Sequence, residues 1–388
     1  MKTVLIISYS YLDRDPRILR QVQALKQDYK ITAIGYTQIS DDSVMYYPVK
    51  MNRPTKRTLN QKLRLLFSTI FTRNNYIKES LENYLDLNNV LSQNIVAPNV
   101  IIANDWEGLY LASLLKQRNN WYVKIYFDAH EYAPLQHSAS LRWRLAEKPI
   151  AIYALKKCRT DIAVMSTVCD GIAREYEKFF DFPAGFVKVI TNAAEYNAAL
   201  KPVEVGGKII RLIHHGGAMK QRKLELMMEM MQYLDPDKYE LTFMLVNSDP
   251  DYFNYLLEIS KKSKNIKFIE PVPFSEIPAV LNSYDVGVYL ILPEHFNHKH
   301  CLPNKLFEYV QARLAIAIGP SIEMVKIVNK YDLGVCSKDF TPKSLANTIA
   351  QLTVENIMKY KKNADKYAKE LSAEENLVKI KNIITGIE

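Results

Sequence analysis

The sequence predicts an α/β protein of two domains, and three observations carry that expectation. Short apolar runs, such as residues 4–7, 99–103 and 315–318, read as buried parallel strands. Stretches of helical periodicity alternate with them, once before and once after a linker holding Pro202 and Gly206-Gly207. At 388 residues, 48% of them hydrophobic, the chain is long enough for two cores.

The first half reads strand 4–7, helix 16–27 and strand 30–36. Ile18, Val22 and Leu25 share one face of that helix, and Asp15 is placed to cap it. Residues 59–73 form the strongest amphipathic stretch: Leu59, Leu63, Leu66, Phe67, Ile70 and Phe71 make one stripe. Two readings stay open for it, a helix packed on its own domain and a face approaching anionic lipid. From Ser43 to Lys78 there are eight cations and no acidic residue, against a net charge of +9 for the whole chain. Arg53, Lys56, Arg57, Lys62 and Arg64 lie in this patch, which points to an acidic partner or membrane surface.

Strand 99–103 ends in Asn104-Asp105-Trp106-Glu107, and strand 122–127 ends in Asp128-Ala129-His130-Glu131-Tyr132. Ligands of open α/β sheets bind beyond the carboxyl ends of strands, so both polar endings are expected to face a crevice. His130 is the candidate there. Leu141-Arg142-Trp143-Arg144 is either a second surface contact or simply packed. Helix 150–158, strand 161–165 and a helix capped by Ser166 follow.

The second half opens with strand 209–214 and the loop from His215 to Arg222, in the position of an anion-binding βα loop. Arg222 suits that role, because a guanidinium grips two phosphate oxygens. Strands 240–246, 265–269 and 284–290 come next. The loop over 293–302 is long for a plain connection. Its His295, His298 and His300 lack the companions of a metal site, and no metal is expected. The three Asp-x-Asp triplets read as turns and caps.

Pro303 then starts a helix, with Asn304 as the competing cap, before strand 315–318 closes on Gly319-Pro320. A lysine at a helix start is disfavoured by roughly 0.3–1 kcal/mol unless an anion sits there. Lys305 is such a residue. Glu308 lies five residues past Pro303, about 7.5 Å along the axis, where a carboxylate reaches ribose hydroxyls. Phosphate at the tip and ribose one turn further describe a nucleotide. The alternative is a solvated Lys and an exposed Glu.

Pro303-Asn304-Lys305-Leu306-Phe307-Glu308-Tyr309, the run Tyr126-Phe127-Asp128-Ala129-His130-Glu131 and the loop at 214–225 resemble GT-B glycosyltransferases, particularly glycosyltransferase family 4. The resemblance implies two Rossmann-like domains facing across a cleft, with a C-terminal helix crossing back to the first. It places the domains at 1–195, with about 373–388, and at 196–372. It further implies a retaining, metal-independent transfer of a sugar from a nucleotide-diphosphate sugar, which is substrate rather than cofactor.

On that resemblance Glu308 holds the donor ribose and the helix start at Pro303 and Asn304 holds the diphosphate. His130 falls on the family's active-site histidine. Asn192 sits at the hinge, and the loop around Pro273 receives the base. The chain departs from the pattern at Ser8-Tyr9-Ser10-Tyr11, where many members carry glycines, and at three places in the second half. Gly217 takes the position of an arginine, Arg222 that of a lysine, and His300 that of the Glu eight residues before Glu308. An acceptor that is a glycan or lipid-linked sugar of cell-surface polysaccharide synthesis is expected. An epimerase or hydrolase on the same fold, and a basic nucleic-acid-binding or scaffold protein, are the rival readings.

No apolar run approaches 18 residues and no leader pattern follows Met1. Cys158, Cys169, Cys301 and Cys336 show no CxxC spacing and read as reduced thiols. A cytoplasmic protein, with a peripheral place on the inner membrane face, is the resulting expectation.

Overall fold

The structure, a computed structural model, describes residues 1–50, 78, 81–82, 84–136, 138 and 140–388. The amphipathic stretch over 59–73 and Arg53, Lys56, Arg57, Lys62 and Arg64 lie outside the described residues. The chain divides into two compact units. Met1–Thr191, His295–Asn297 and Asn376–Glu388 form unit 1; Asn192–Glu294 and His298–Glu375 form unit 2.

Unit 1 is built on seven parallel strands: β1 (Lys2–Ile7), β2 (Tyr29–Gly35), β3 (Val44–Pro48), β4 (Val100–Asn104), β5 (Lys124–Ala129), β6 (Ile162–Thr167) and β7 (Val187–Val189). Their order is β3-β2-β1-β4-β5-β6-β7. Val4 pairs with Ile31 on one side and Val100 on the other, so β1 is central and its apolar run is buried on both faces. The Pro16–Leu25 helix lays Ile18, Val22 and Leu25 on Val4, Ile6 and Ile102. Each such fully buried side chain contributes about 1.5–3 kcal/mol. Asp15 caps this helix, its carboxylate accepting from Arg17 N at 3.0 Å. The last helix, Ala373–Ile387, adds Ile380 and Ile384 to the same core.

Unit 2 repeats the plan with six parallel strands: β8 (Ile210–Gly217), β9 (Tyr239–Val246), β10 (Ile266–Ile269), β11 (Val286–Tyr289), β12 (Ala315–Ile318) and β13 (Gly334–Cys336). The order β10-β9-β8-β11-β12-β13 reverses between β8 and β11. That reversal point opens a crevice at the strands' carboxyl ends. Unit 1 reverses in the same way between β1 and β4.

Several expected boundaries move. The strand expected over 122–127 lies at Lys124–Ala129, so Asp128 belongs to the sheet, opposite Asn104. Asp105 begins the Asp105–Arg118 helix instead of a loop. Ser166 lies inside β6, and Cys169 occupies the cap of the next helix. β8 runs on to Gly217 because Gly216 and Gly217 still pair with Leu245 and Val246. A 3-10 turn at Lys220–Arg222 follows, and the helix starts only at Glu225. The loop over 293–302 contains a short helix, Phe296–Lys299. Pro303 is the cap residue in extended geometry and Asn304 the first helical residue; neither side chain supplies a capping bond. Trp143 is buried, which favours packing over surface contact. Asp249 caps the Pro250–Ser260 helix through Tyr252 N, and Asp235 accepts from Asp237 N, so these two triplets are local turns and caps.

Candidate active site

In unit 2 the carboxyl end of β8 meets the start of the Asn304–Gln311 helix. Gly216 adopts φ +120°, a region L side chains rarely enter. A Cβ there would lie 2.5 Å from Lys305 Nζ and 3.6 Å from Arg222 Nη1. The glycine thus lets the lysine amine cross the backbone and sit near the guanidinium. Lys305 is only 7% exposed and Arg222 half-buried. Among the described residues, neither has a carboxylate within ion-pair distance. Burial, then the Arg222 charge, hold the Lys305 amine down at about 8, against the pull of Glu308 and Cys301. Two neighbouring cations beside free helix N–H groups are the arrangement that suits an anion.

Glu308 lies one turn on and is 3% exposed. Its Oε2 is 3.2 Å from His215 Nε2. A solvated Glu308 is therefore ruled out, and so is a solvated Lys305. The tip itself is open: Pro303 and Asn304 are half-buried. Tyr309 packs edge-on to His215 at 5.4 Å and donates to Val288 O at 3.1 Å, and Lys305 Nζ lies 5.5 Å from the Tyr289 ring centre. His214 donates from Nδ1 to Val288 O at 2.9 Å. Burial, then the charge of Lys305, drive both His214 and His215 well below the ordinary imidazole range, so both are neutral.

The other expected donor residues scatter. Gly217 lies beside Ser248 Oγ, which a Cβ would approach to 2.9 Å. His300 turns its Nδ1 to Glu323 Oε1 at 3.1 Å. Pro273 is exposed ahead of the Phe274–Glu276 turn, beyond β10 at the sheet edge. Asn192 is the first residue of unit 2.

In unit 1 a cavity of about 150 Å³ lies where β1, β4 and β5 end, lined among others by Ser10, Asp15, Asp105, Trp106, His130 and Glu131. His130 N donates to Asp105 Oδ1 at 2.9 Å, and its Nδ1 lies 3.3 Å from Asp105 Oδ2. Its Nε2 faces Asn104 Oδ1 at 3.3 Å. That oxygen also accepts from Gln21 Nε2 at 2.8 Å, while Asn104 Nδ2 donates to Ile7 O at 3.2 Å. The asparagine is thereby oriented, and the His130 ring is held between Asn104 and Asp105.

Asn104 and Asp128 do not face a crevice as expected; each is 1% exposed. Asp128 turns inward because Arg17 is there: Arg17 Nε donates to its Oδ2 at 2.6 Å, and Arg17 Nη1 to Ile190 O at 3.0 Å. Gln21 Nε2 adds a bond at 2.9 Å. Burial alone would raise the Asp128 carboxyl, but the Arg17 charge and its hydrogen bonds prevail and hold it at about 2. Gln21, His215 and Asn297 were not singled out from the sequence. Asn297 accepts from Tyr132 N at 3.0 Å and donates to Glu131 at 3.1 Å. Only the adjacency of His215 to the glycine pair hinted at a role.

No family model and no curated protein matches the sequence. Solved structures do. Sucrose-phosphate synthase from Thermosynechococcus elongatus superposes with TM-score 0.69 at 12% identity, covering 100% of this chain and 99% of that one. HepE of Anabaena, solved in complex with UDP-glucose, gives 0.65 at 10% identity with 100% of both chains covered. WaaG, a glycosyltransferase involved in lipopolysaccharide biosynthesis, gives 0.61 at 12% identity, covering 99% and 100%. At such identities the likeness is one of architecture: the chain has the two-domain α/β GT-B fold of these glycosyltransferases.

Proposed function

We propose that the protein is a retaining glycosyltransferase that moves a sugar from a nucleotide-diphosphate sugar to a glycan or lipid-linked acceptor. The observation that carries this is the Arg222–Lys305 pair at the helix tip, with Glu308 one turn further in. The fold supports it, since structural neighbours with this architecture include a protein solved with UDP-glucose.

When the bond from the sugar's anomeric carbon to the diphosphate oxygen breaks, charge grows on the leaving phosphate. Arg222, Lys305 and the N–H groups at Asn304 stabilise that charge, so side chains do the work without a metal. The acceptor hydroxyl oxygen bonds to the same face of the anomeric carbon, and its proton passes to the leaving phosphate oxygen. His130 contacts the donor sugar or shapes the acceptor's approach. The basic patch of Arg53, Lys56 and Arg57 brings the protein to an anionic membrane face, where a lipid-linked acceptor of cell-surface polysaccharide synthesis resides.

Calorimetry with UDP, GDP and dTDP tests the reading. One of them binds, and Glu308→Ala loses about 1–3 kcal/mol, the usual cost of losing hydrogen bonds to a charged group. Unchanged affinity removes Glu308 from the site. Turnover of the donor with no acceptor present would favour the epimerase or hydrolase instead.

A further inference from the structure

His215 stands at the centre of the unit 2 site, yet the nucleotide reading leaves it without a task. Its side chain is 3% exposed, and its Nε2 is 3.2 Å from Glu308 Oε2. The approach is off the line of a hydrogen bond, so Nε2 is a buried polar atom without a hydrogen-bond partner. Such atoms are few in folded proteins, and leaving one costs stability. The ring is held in place: Tyr309 packs edge-on against it, and the next residue is the Gly216 that passes Lys305. The 3.2 Å separation is within reach of a hydrogen bond once the carboxylate turns toward the ring.

We propose that His215 is a positioning residue for the nucleotide, its Nε2–H aiming the Glu308 carboxylate at the ribose hydroxyls. This rests on the reading of Glu308 given above. A neutral imidazole suits the task. It donates one hydrogen bond and leaves the carboxylate its full charge and its remaining lone pairs. A lysine or arginine there would pair with Glu308 and compete with the ribose. The surroundings keep the ring neutral: it is buried, and Lys305, His214 and Arg222 face it.

The experiment compares two probes, inorganic pyrophosphate and whichever of UDP, GDP and dTDP the wild-type chain binds. His215→Phe keeps the ring's bulk and removes the donor; His215→Gln keeps an N–H at similar reach. We expect His215→Phe to weaken the nucleotide about 10-fold while leaving pyrophosphate unchanged, with His215→Gln restoring most of the loss. In a Glu308→Ala background the His215→Phe effect should vanish. An equal loss for both probes, no loss at all, or a loss that persists without Glu308 would each overturn the inference.

A measurement on the unmutated chain covers the case of a variant that does not fold. Nucleotide, but not pyrophosphate, should shift the His215 Nε2 resonance in ¹⁵N-histidine spectra. Equal shifts with both probes, or none, count against it. Wild-type protein that binds pyrophosphate and no nucleotide would instead overturn the reading of Glu308, and this inference with it.

Discussion

Lys305 and Asp128 show how burial turns a charge into a constraint. The Lys305 amine, held at about 8, is partly neutral near physiological pH. A bound diphosphate supplies the missing counter-charge and raises it again. Between about pH 8 and 10, nucleotide binding should therefore take up a proton, and affinity should fall as pH rises through that window. Calorimetry at pH 9 in two buffers of different ionisation heat should register about one proton; none would place Lys305 away from the phosphates. Asp128 works in the opposite sense. Its carboxyl drops from 3.8 to about 2 on folding, so its stabilisation is full above about pH 4 and is lost as pH falls toward 2. Asp128→Asn leaves the Arg17 charge buried without its carboxylate and should cost about 3–5 kcal/mol in urea unfolding at pH 7. That gap should narrow below pH 3. Equal stabilities at pH 7 would mean that Arg17 finds another partner.

At the scale of elements, the β8 end and the Asn304–Gln311 helix act as one device. Gly216 is the joint, since its positive φ and bare Cα make room for the Lys305 amine. Gly216→Ala should cost about 1–3 kcal/mol of stability from backbone strain alone. Its methyl group also displaces the amine, so affinity for pyrophosphate should drop as well; calorimetry and thermal unfolding separate the two effects. A variant that keeps full affinity would show that the amine has a second seat. The elements of the site were unevenly legible. The start of the Asn304–Gln311 helix was read within a residue and β12 to the residue, because proline at a helix start and apolar runs are local signals. β8 was read three residues short, because its last three residues, His215, Gly216 and Gly217, are poor strand formers held only by pairing with β9.

At the scale of the whole molecule, two sheets with the same strand reversal each present a polar group at that reversal. These are His130 with Asp105 in unit 1, and Lys305 with Arg222 and Glu308 in unit 2. No helix among the described residues is long and apolar enough to cross a membrane. The membrane attachment proposed above rests on the basic patch. Sedimentation with anionic liposomes at low salt should pull down the wild-type chain. It should pull down much less of a variant with Arg53, Lys56 and Arg57 neutralised, and high salt should release both. Equal sedimentation of the two proteins would remove the patch from this role.

Alternation of apolar runs with helical stretches was enough to set the α/β class, and the spacing of Pro303, Lys305 and Glu308 was enough to raise the anion-site reading. Both are written in neighbouring residues. What only the tertiary structure decided is which polar residues turn inward. Asp128 looked like a residue facing ligand until Arg17, 111 positions away, came to meet it. His215 came within 3.2 Å of Glu308 only when β8 and a distant helix converged. Hydrogen bonds and charge pairs between remote segments leave no periodic trace in the chain, because they depend on where two elements meet and not on what lies beside each residue.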